Sequence, residues 1–266
     1  MTLVVIPTPI GNLEDITLRA LRCLREADLV ACEDTRRTGG LLAHHGIKNH
    51  LLAYHEHNEE RLAAELTERA RTQRVALVSD AGTPLVSDPG YRLVSACIEA
   101  GVGVEVLPGP SAPITALVAS GLPVDTAVFL GFLPRRGKER ADLLARISKE
   151  RSTFVLFESP HRLRKTLEEL PAEASVAVCR ELTKLHEEVF RGTAEEGARH
   201  FAERVRGEVV LVVRGGTNAG SADFEETLEL ARRYVAKGER PSRAAAQAAR
   251  ESGWRRAEIY DGLIGP

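Results

Sequence analysis

Cysteine is scarce in this chain. Its 266 residues hold four, Cys23, Cys32, Cys97 and Cys179, and no two have the spacing of metal ligands or a redox pair. Cys23, Cys32 and Cys97 sit among apolar neighbours, which predicts buried, reduced thiols and fits a cytoplasmic protein. Long hydrophobic runs are missing too, so no membrane-spanning segment is expected. The chain starts directly on the apolar run Leu3–Ile6, closed by Pro7, rather than on a basic segment with a long apolar core. No signal peptide is predicted from such a start. Neither sign of charge dominates: 36 Lys and Arg face 38 Asp and Glu, a net charge of −2. Any nucleic-acid contact must therefore be a local patch. The GxGxxG and GKS/T patterns are absent, which argues against NAD and ATP binding. His55-Glu56-His57 lacks a third ligand nearby and is not an HExxH motif, so no metal is expected.

What is present suits a globular enzyme. Hydrophobic residues make up 43% and charged residues 28%, enough for a large core, and the length suits two domains. In the first half, short apolar runs at Leu3–Ile6, Leu29–Cys32, Val75–Val78 and Val104–Leu107 alternate with helical patterns at about 17–26, 59–71, 90–100 and 111–120. That alternation predicts a mainly parallel sheet with helices on its faces. A boundary falls near residues 120–125. Strands are then expected at Phe129–Phe132, Thr153–Phe157, Ser175–Cys179, Glu188–Arg191 and Glu208–Val213, in a mixed sheet. Helices are expected at 138–148, 160–170 and 194–205. Residues 215–221, GGTNAGS, read as a linker. A helical tail follows, with one helix starting at Pro241-Ser242, a break at Gly253 and another helix from Trp254. The domains are thus expected at 1–121 and 122–216, with the tail at 222–266.

Four loops after first-half strands carry unusual chemistry. Pro7-Thr8-Pro9-Ile10-Gly11-Asn12-Leu13 combines two fixed φ angles with a glycine that allows close approach. Glu33-Asp34-Thr35-Arg36-Arg37 can position a polar substrate, or Asp34 can simply cap a helix and pair with an arginine. The stretch Ser79–Gly90, SDAGTPLVSDPG, sets Asp80 and Asp88 between glycines and prolines, as in a preorganised cradle of backbone groups. Pro108-Gly109-Pro110-Ser111 ends on a residue suited to cap the next helix. In the second half, GFLPRR (131–136), ESPHR (158–162) and RELTK (180–184) add charged clusters, the last two directly after strands. In sheets of this class, ligands bind outside the carboxyl ends of the strands.

In this order, PTPIGNL, EDTR, SDAGTPLVSDPG, PGPSA, GFLP, ESPHR and RELTK resemble the tetrapyrrole methylase superfamily. They look most like its members that methylate the 2′-oxygen of a cytidine ribose in small-subunit (16S) ribosomal RNA. The resemblance spans residues 1 to about 215 and continues into the tail. It implies two α/β domains with S-adenosylmethionine in the cleft between them, and a homodimer acting on 16S rRNA or the small ribosomal subunit. The matching cofactor positions are Pro9, Ser79, Asp80, Ala81, Gly82, Ser111 and Ala112, with Glu158 and Leu182 from the second domain. Asp34, Arg36, Glu181 and Lys184 are the candidates for positioning the ribose or removing its proton. Between Leu230 and Arg256 eight basic residues face two acidic ones, a local excess suited to a phosphate backbone. Two competing expectations remain: a methyltransferase for a small porphyrin-like precursor, and a non-enzymatic RNA-binding module.

Overall fold

The computed structural model describes the chain apart from Arg204, residues 217–220, Gly253, Arg255 and Pro266; of residues 221–223, Arg250 and Glu251 it describes the backbone only. Most of the expected linker, and the expected break at Gly253, lie outside the described residues. The chain divides into two compact units. One comprises Met1–Ala119, Cys179–Val189 and Gly207–Val210; the other comprises Ser120–Val178, Phe190–Arg206 and Leu211–Pro266.

The first unit opens with strand β1 (Thr2–Val5), helix α1 (Leu18–Glu26) and β2 (Leu29–Cys32). Helix α2 (Thr35–His44), β3 (Leu51–Ala53), α3 (Glu59–Thr72) and β4 (Arg74–Val78) follow. Helix α4 (Tyr91–Glu99), β5 (Gly103–Val106) and α5 (Ala112–Ser120) complete the run. The strands form one sheet in the order β3-β2-β4-β1-β5, and every pair in it is parallel.

Side-chain alternation along β1 builds two cores. Val4 and Ile6 pack with Ala20, Cys23 and Leu24 of α1. Leu3 and Val5 face the other way, onto Leu62, Leu66 and Ala70 of α3 and Leu93 and Cys97 of α4. Each fully buried leucine here is worth about 2–3 kcal/mol. Thr17 starts α1 by accepting the Ala20 N–H, 3.0 Å away, as an N-cap should.

The parallel sheet agrees with the sequence reading. That reading missed β3 and gave α2 only as one alternative, a helix capped by Asp34. Helix α2 begins inside the charged EDTRR cluster and carries Gly39-Gly40, so its apolar periodicity is weak. Strand β3 has three residues, all partly exposed, too short for a period-two signal. All four cysteines are buried and in no disulfide, as the apolar neighbours of three of them suggested.

The rest of the chain forms β6 (Ala127–Phe132), α6 (Lys138–Lys149), β7 (Thr153–Glu158), α7 (Leu163–Glu169) and β8 (Ser175–Arg180). Next come β9 (Glu188–Thr193), α8 (Ala194–His200) and β10 (Val209–Arg214). The second sheet has the order β6-β7-β10-β8-β9, with β6 parallel to β7. Helix α7 starts three residues later than expected, because residues 160–162 form a turn. Helix α8 stops at His200, short of the expected residue 205, although Thr193 and Glu196 give it a full capping box.

Three helices end the chain: α9 (Ser221–Ala236), α10 (Pro241–Ser252) and α11 (Arg256–Ile264). Leu228, Ala231, Ala245, Ala248 and Ile259 form their shared core. They are tied to the rest of the second unit by Arg151, whose guanidinium lies 3.1 Å from the Trp254 ring centroid, and by Arg214 to Glu258 at 3.2 Å.

Candidate active site

Parallel strands β1, β2, β4 and β5 end on the four unusual loops, and the loops are bonded to one another. Thr8 and Gly82 exchange both backbone N–H···O bonds at 2.9 Å, an isolated antiparallel bridge between PTPIG and SDAGT. The Thr8 hydroxyl donates to the Ser79 carbonyl at 3.0 Å. Thr83 Oγ1 donates to the Pro110 carbonyl at 3.0 Å, joining the third loop to the fourth. The Asp34 N–H donates to Asp80 Oδ1, also at 3.0 Å, which adds the second.

Backbone lines much of this cradle. Gly82 has φ +77, and a Cβ there would lie 3.3 Å from Ile10. At Gly109 a Cβ would meet Pro7 at 2.7 Å. That contact is why Pro-Gly-Pro follows β5: nothing larger than glycine fits against the first loop. Leu85 (φ 73) and Ser87 (φ 67) hold left-handed backbone without being glycine. Such strain persists where the surroundings over-determine it, commonly at ligand sites.

The RELTK segment belongs to the same unit. Thr183 Oγ1 accepts the Asn12 N–H at 3.0 Å, and Gly11 packs onto Leu182, Thr183 and Lys184. Glu181 (φ 50) and Thr183 (φ 66) are left-handed as well, which is unusual for the β-branched Thr183. Lys184 Nζ bridges Glu181 Oε1 and Glu208 Oε2, each at 2.9 Å. Sequence reasoning missed Glu208, since it lies in no motif and meets Lys184 only through folding.

These bonds set the electrostatics. Hydrogen bonds from the Arg36 side chain and backbone hold Asp34 at a pKa of about 2. The Asp34 carboxylate also caps α2 through the Arg36 N–H at 2.8 Å. The cap and the arginine pair expected of this loop are thus both present. Glu181 lies below its ordinary value because the Glu208 N–H and then Lys184 stabilise its charged form. Burial pulls the Lys184 ammonium down, but the Glu208 and Glu181 carboxylates outweigh it and push it up. Burial raises Glu33, helped by the charge of Asp80. Burial also raises Asp88 to about 6; a Ser79 hydrogen bond opposes the rise, and Glu33 and Asp80 add to it.

Of the expected cofactor positions, the first unit brings together Pro9, Ser79, Asp80, Ala81, Gly82, Ser111, Ala112 and Leu182. Ser79 is 2% exposed and Leu182 6%, so they offer a ligand backbone more than side chain. Asp34, Glu181 and Lys184 lie on loops of the same unit, and Arg36 in the first turn of α2. Glu158 belongs to the other unit. Its carboxylate is enclosed by the Ser159 N–H and Thr166 hydroxyl, both at 2.6 Å, and Arg162 at 2.7 Å. His55 Nε2 lies 3.3 Å from Asn58 Nδ2, and among the described residues no three or more His, Cys, Asp or Glu side chains are grouped to hold a metal.

A parallel sheet with this strand order, and bonded loops at its carboxyl edge, define an α/β protein whose loops stand where sheets of this class bind ligands. The family model for Tetrapyrrole (Corrin/Porphyrin) Methylases matches residues 2–198, and the chain belongs to that family. It is 44% identical to the Ribosomal RNA small subunit methyltransferase I of Halalkalibacterium halodurans, over 98% of this chain and 93% of the relative. A protein of that name from Thermotoga maritima is 47% identical, over 80% of this chain and 98% of its own. Among solved structures, uroporphyrin-III-C-methyltransferase from Thermus thermophilus is similar with a TM-score of 0.58, at 26% identity over 80% of this chain and 93% of that one. The chain is therefore a methyltransferase. No helix among the described residues is long and apolar enough to cross a membrane.

Proposed function

We propose that this protein transfers a methyl group from S-adenosylmethionine to the 2′-oxygen of a cytidine ribose in 16S ribosomal RNA. The observation that carries this reading is the first-unit cradle, together with the family membership. Gly82 and Gly109 let their loops pack directly against Ile10, Pro110 and Pro7, and the largely backbone surface these loops present fits a nucleoside with an amino-acid tail and no phosphate. S-adenosylmethionine, when bound, supplies an already electrophilic sulfonium methyl, so the reaction needs no metal. Pro9, Ser79, Asp80, Ala81, Gly82, Ser111, Ala112 and Leu182 hold it, and Glu158 fixes the ESPHR turn.

The protein has two tasks: to align the ribose hydroxyl with the methyl group and to help its proton leave. Asp34, Arg36, Glu181 and Lys184 serve the first better. Asp34 and Glu181 are weak bases because their charges are satisfied by partners, and Lys184 keeps its proton. Positioning by charge and hydrogen bonding is what such groups do well.

We assign residues 1–121 and 122–216 to two α/β domains, one for each sheet, and 222–266 to an appended RNA-contacting tail, although Cys179–Val189 and Gly207–Val210 group with the first compact unit. The tail's basic excess is confined to its middle. Over residues 221–266 eight acidic residues balance eight basic ones, and Arg232 and Arg243 pair with Glu229 and Glu239. Arg233, Lys237 and Arg240 are exposed and carry the proposed phosphate contacts. The protein works in the cytoplasm as a homodimer. Ile114 and Val118, one turn apart on α5 and 60% and 72% exposed, support self-association together with Val106 on edge strand β5.

The test is mass-spectrometric mapping of rRNA modifications with and without the protein, alongside labelled methyl transfer to small subunits or to a porphyrin-like precursor. Methylation of the precursor alone would replace this reading. Lack of S-adenosylmethionine binding in calorimetry would turn it toward an RNA-binding module.

A further inference from the structure

Strand β6 lies at the edge of the second sheet and contains a bulge. Phe129 pairs with Val155, but Gly131 pairs with Leu156, so Leu130 is an extra residue. In a regular strand Phe129 and Phe132, three apart, would point to opposite faces. The bulge cancels that inversion. Both rings pack against Phe157, with centroids 5.2 and 5.3 Å away. Yet Phe129 remains 41% exposed and Phe132 57%. Exposed aromatic groups of this kind mark interaction surfaces, and bulges commonly re-aim side chains at such places.

Phe132 opens onto a cavity of about 670 Å³, lined also by Leu133, Pro134, Arg135, Ser159 and Arg162. Its walls are fixed. Arg162 donates to the Leu133 carbonyl at 3.0 Å and pairs with buried Glu158 at 2.7 Å. Arg140, 6% exposed, donates to the Pro134 carbonyl and to Thr166, which in turn donates to Glu158. One polar network thus clamps the GFLP and ESPHR segments together. Arg135 is exposed and pairs with no carboxylate among the described residues. The cavity therefore offers an aromatic face, an unpaired guanidinium and a hydroxyl, while the Glu158 and Glu169 carboxylates nearby are held by Arg162 and Arg140.

We propose that this cavity holds one unstacked nucleotide of the substrate RNA strand, its base on Phe132 and its phosphate at Arg135. Stacking on an aromatic face beside a cationic groove is how single-stranded nucleic acid is gripped without base-specific bonds. A second copy of this chain would use the apolar rings but leave Arg135 without a counterion, so charge favours RNA. The proposal rests on the reading of RNA as substrate.

The test is steady-state methylation of small ribosomal subunits that lack the modification, with Phe132→Leu, Phe132→Tyr and Arg135→Gln. Leu keeps apolar volume without a π face, and Tyr keeps the face. Phe132→Leu and Arg135→Gln should each raise KM for the particle about tenfold, within the ~1–3 kcal/mol attributed to one stacked base. They should leave kcat within about twofold, S-adenosylmethionine affinity unchanged and sedimentation as in the wild type, while Phe132→Tyr behaves as wild type. Unchanged KM in both disruptive variants overturns the proposal. An equal loss in Phe132→Tyr does so as well. A parallel loss of S-adenosylmethionine affinity would assign the cavity to the cofactor instead, and altered sedimentation would assign it to a protein contact. Wild-type protein that methylates no particle removes the functional reading itself, and this proposal with it.

Discussion

The Cα of Gly11 lies against the carbonyl oxygen of Leu182, so close that a Cβ on Gly11 would sit 2.9 Å from it. Thr183 and Lys184 crowd the same point. The contact joins the first loop of the chain to a segment 171 residues later, and the bond from the Asn12 N–H to Thr183 reinforces it. Glycine is required here for room, since the backbone carbonyl cannot yield as a side chain can. Gly11→Ala should lose about 1–3 kcal/mol of stability by overpacking, with turnover falling as the RELTK segment shifts. A urea midpoint equal to the wild type would show that the two segments part easily.

Asp34 combines two roles that one pair of substitutions separates. Its carboxylate caps α2 and holds Arg36. Asparagine keeps the capping oxygen but not the charge, whereas alanine loses both. Asp34→Ala should cost about 1 kcal/mol of stability, and Asp34→Asn little. Both should bind S-adenosylmethionine normally and lose most turnover. If Asp34→Asn turns over like the wild type, the residue is a helix cap only.

Lys184→Ala leaves Glu181 and Glu208 facing each other without the ammonium between them. Turnover should drop by an order of magnitude or more while S-adenosylmethionine affinity holds, as expected when a positioning group is removed. Calorimetry and single-turnover rates measure the two separately. Wild-type turnover removes Lys184 from the site.

Asp88 makes stability depend on pH. Its carboxyl moves from an ordinary 3.8 to about 6, chiefly through burial. Between those values the folded protein binds more protons than the unfolded one, so stability falls as pH rises from about 4 through about 6 and then levels. Asp88→Asn should remove this slope. Its unfolding free energy should match the wild type at pH 4 and exceed it by about 1–2 kcal/mol above pH 7. A parallel pH profile in the variant would show that Asp88 ionises without cost.

The tail should tune affinity rather than chemistry. The family match ends at residue 198, and the Thermotoga maritima relative is covered almost whole by 80% of this chain. Replacing Arg233, Lys237 and Arg240 together by Gln should weaken RNA binding. It should also reduce the slope of log affinity against log salt by about 2, because each phosphate that a cation neutralises adds ~0.7–0.9 to that slope. Binding of S-adenosylmethionine should be unaffected. An unchanged salt slope would leave the tail without a role in RNA binding.

The first sheet was legible in the sequence because its strands are short apolar runs between amphipathic helices, and period and punctuation are local properties. The unusual loops could be read for the same reason: Pro7, Pro9, Gly82 and Pro110 restrict or free the backbone wherever they stand. Helix α2 could be read only from its cap at Asp34, because its start is charged and its middle is Gly39-Gly40. Tertiary structure alone decided that Gly11 meets Leu182, that the Asp34 N–H finds Asp80 and that Lys184 finds Glu208, since each of these meetings depends on strand order rather than on neighbours in the chain. It also decided that Phe129 and Phe132 share a face. Their spacing says the opposite, and only the pairing with β7 reveals the extra residue between them.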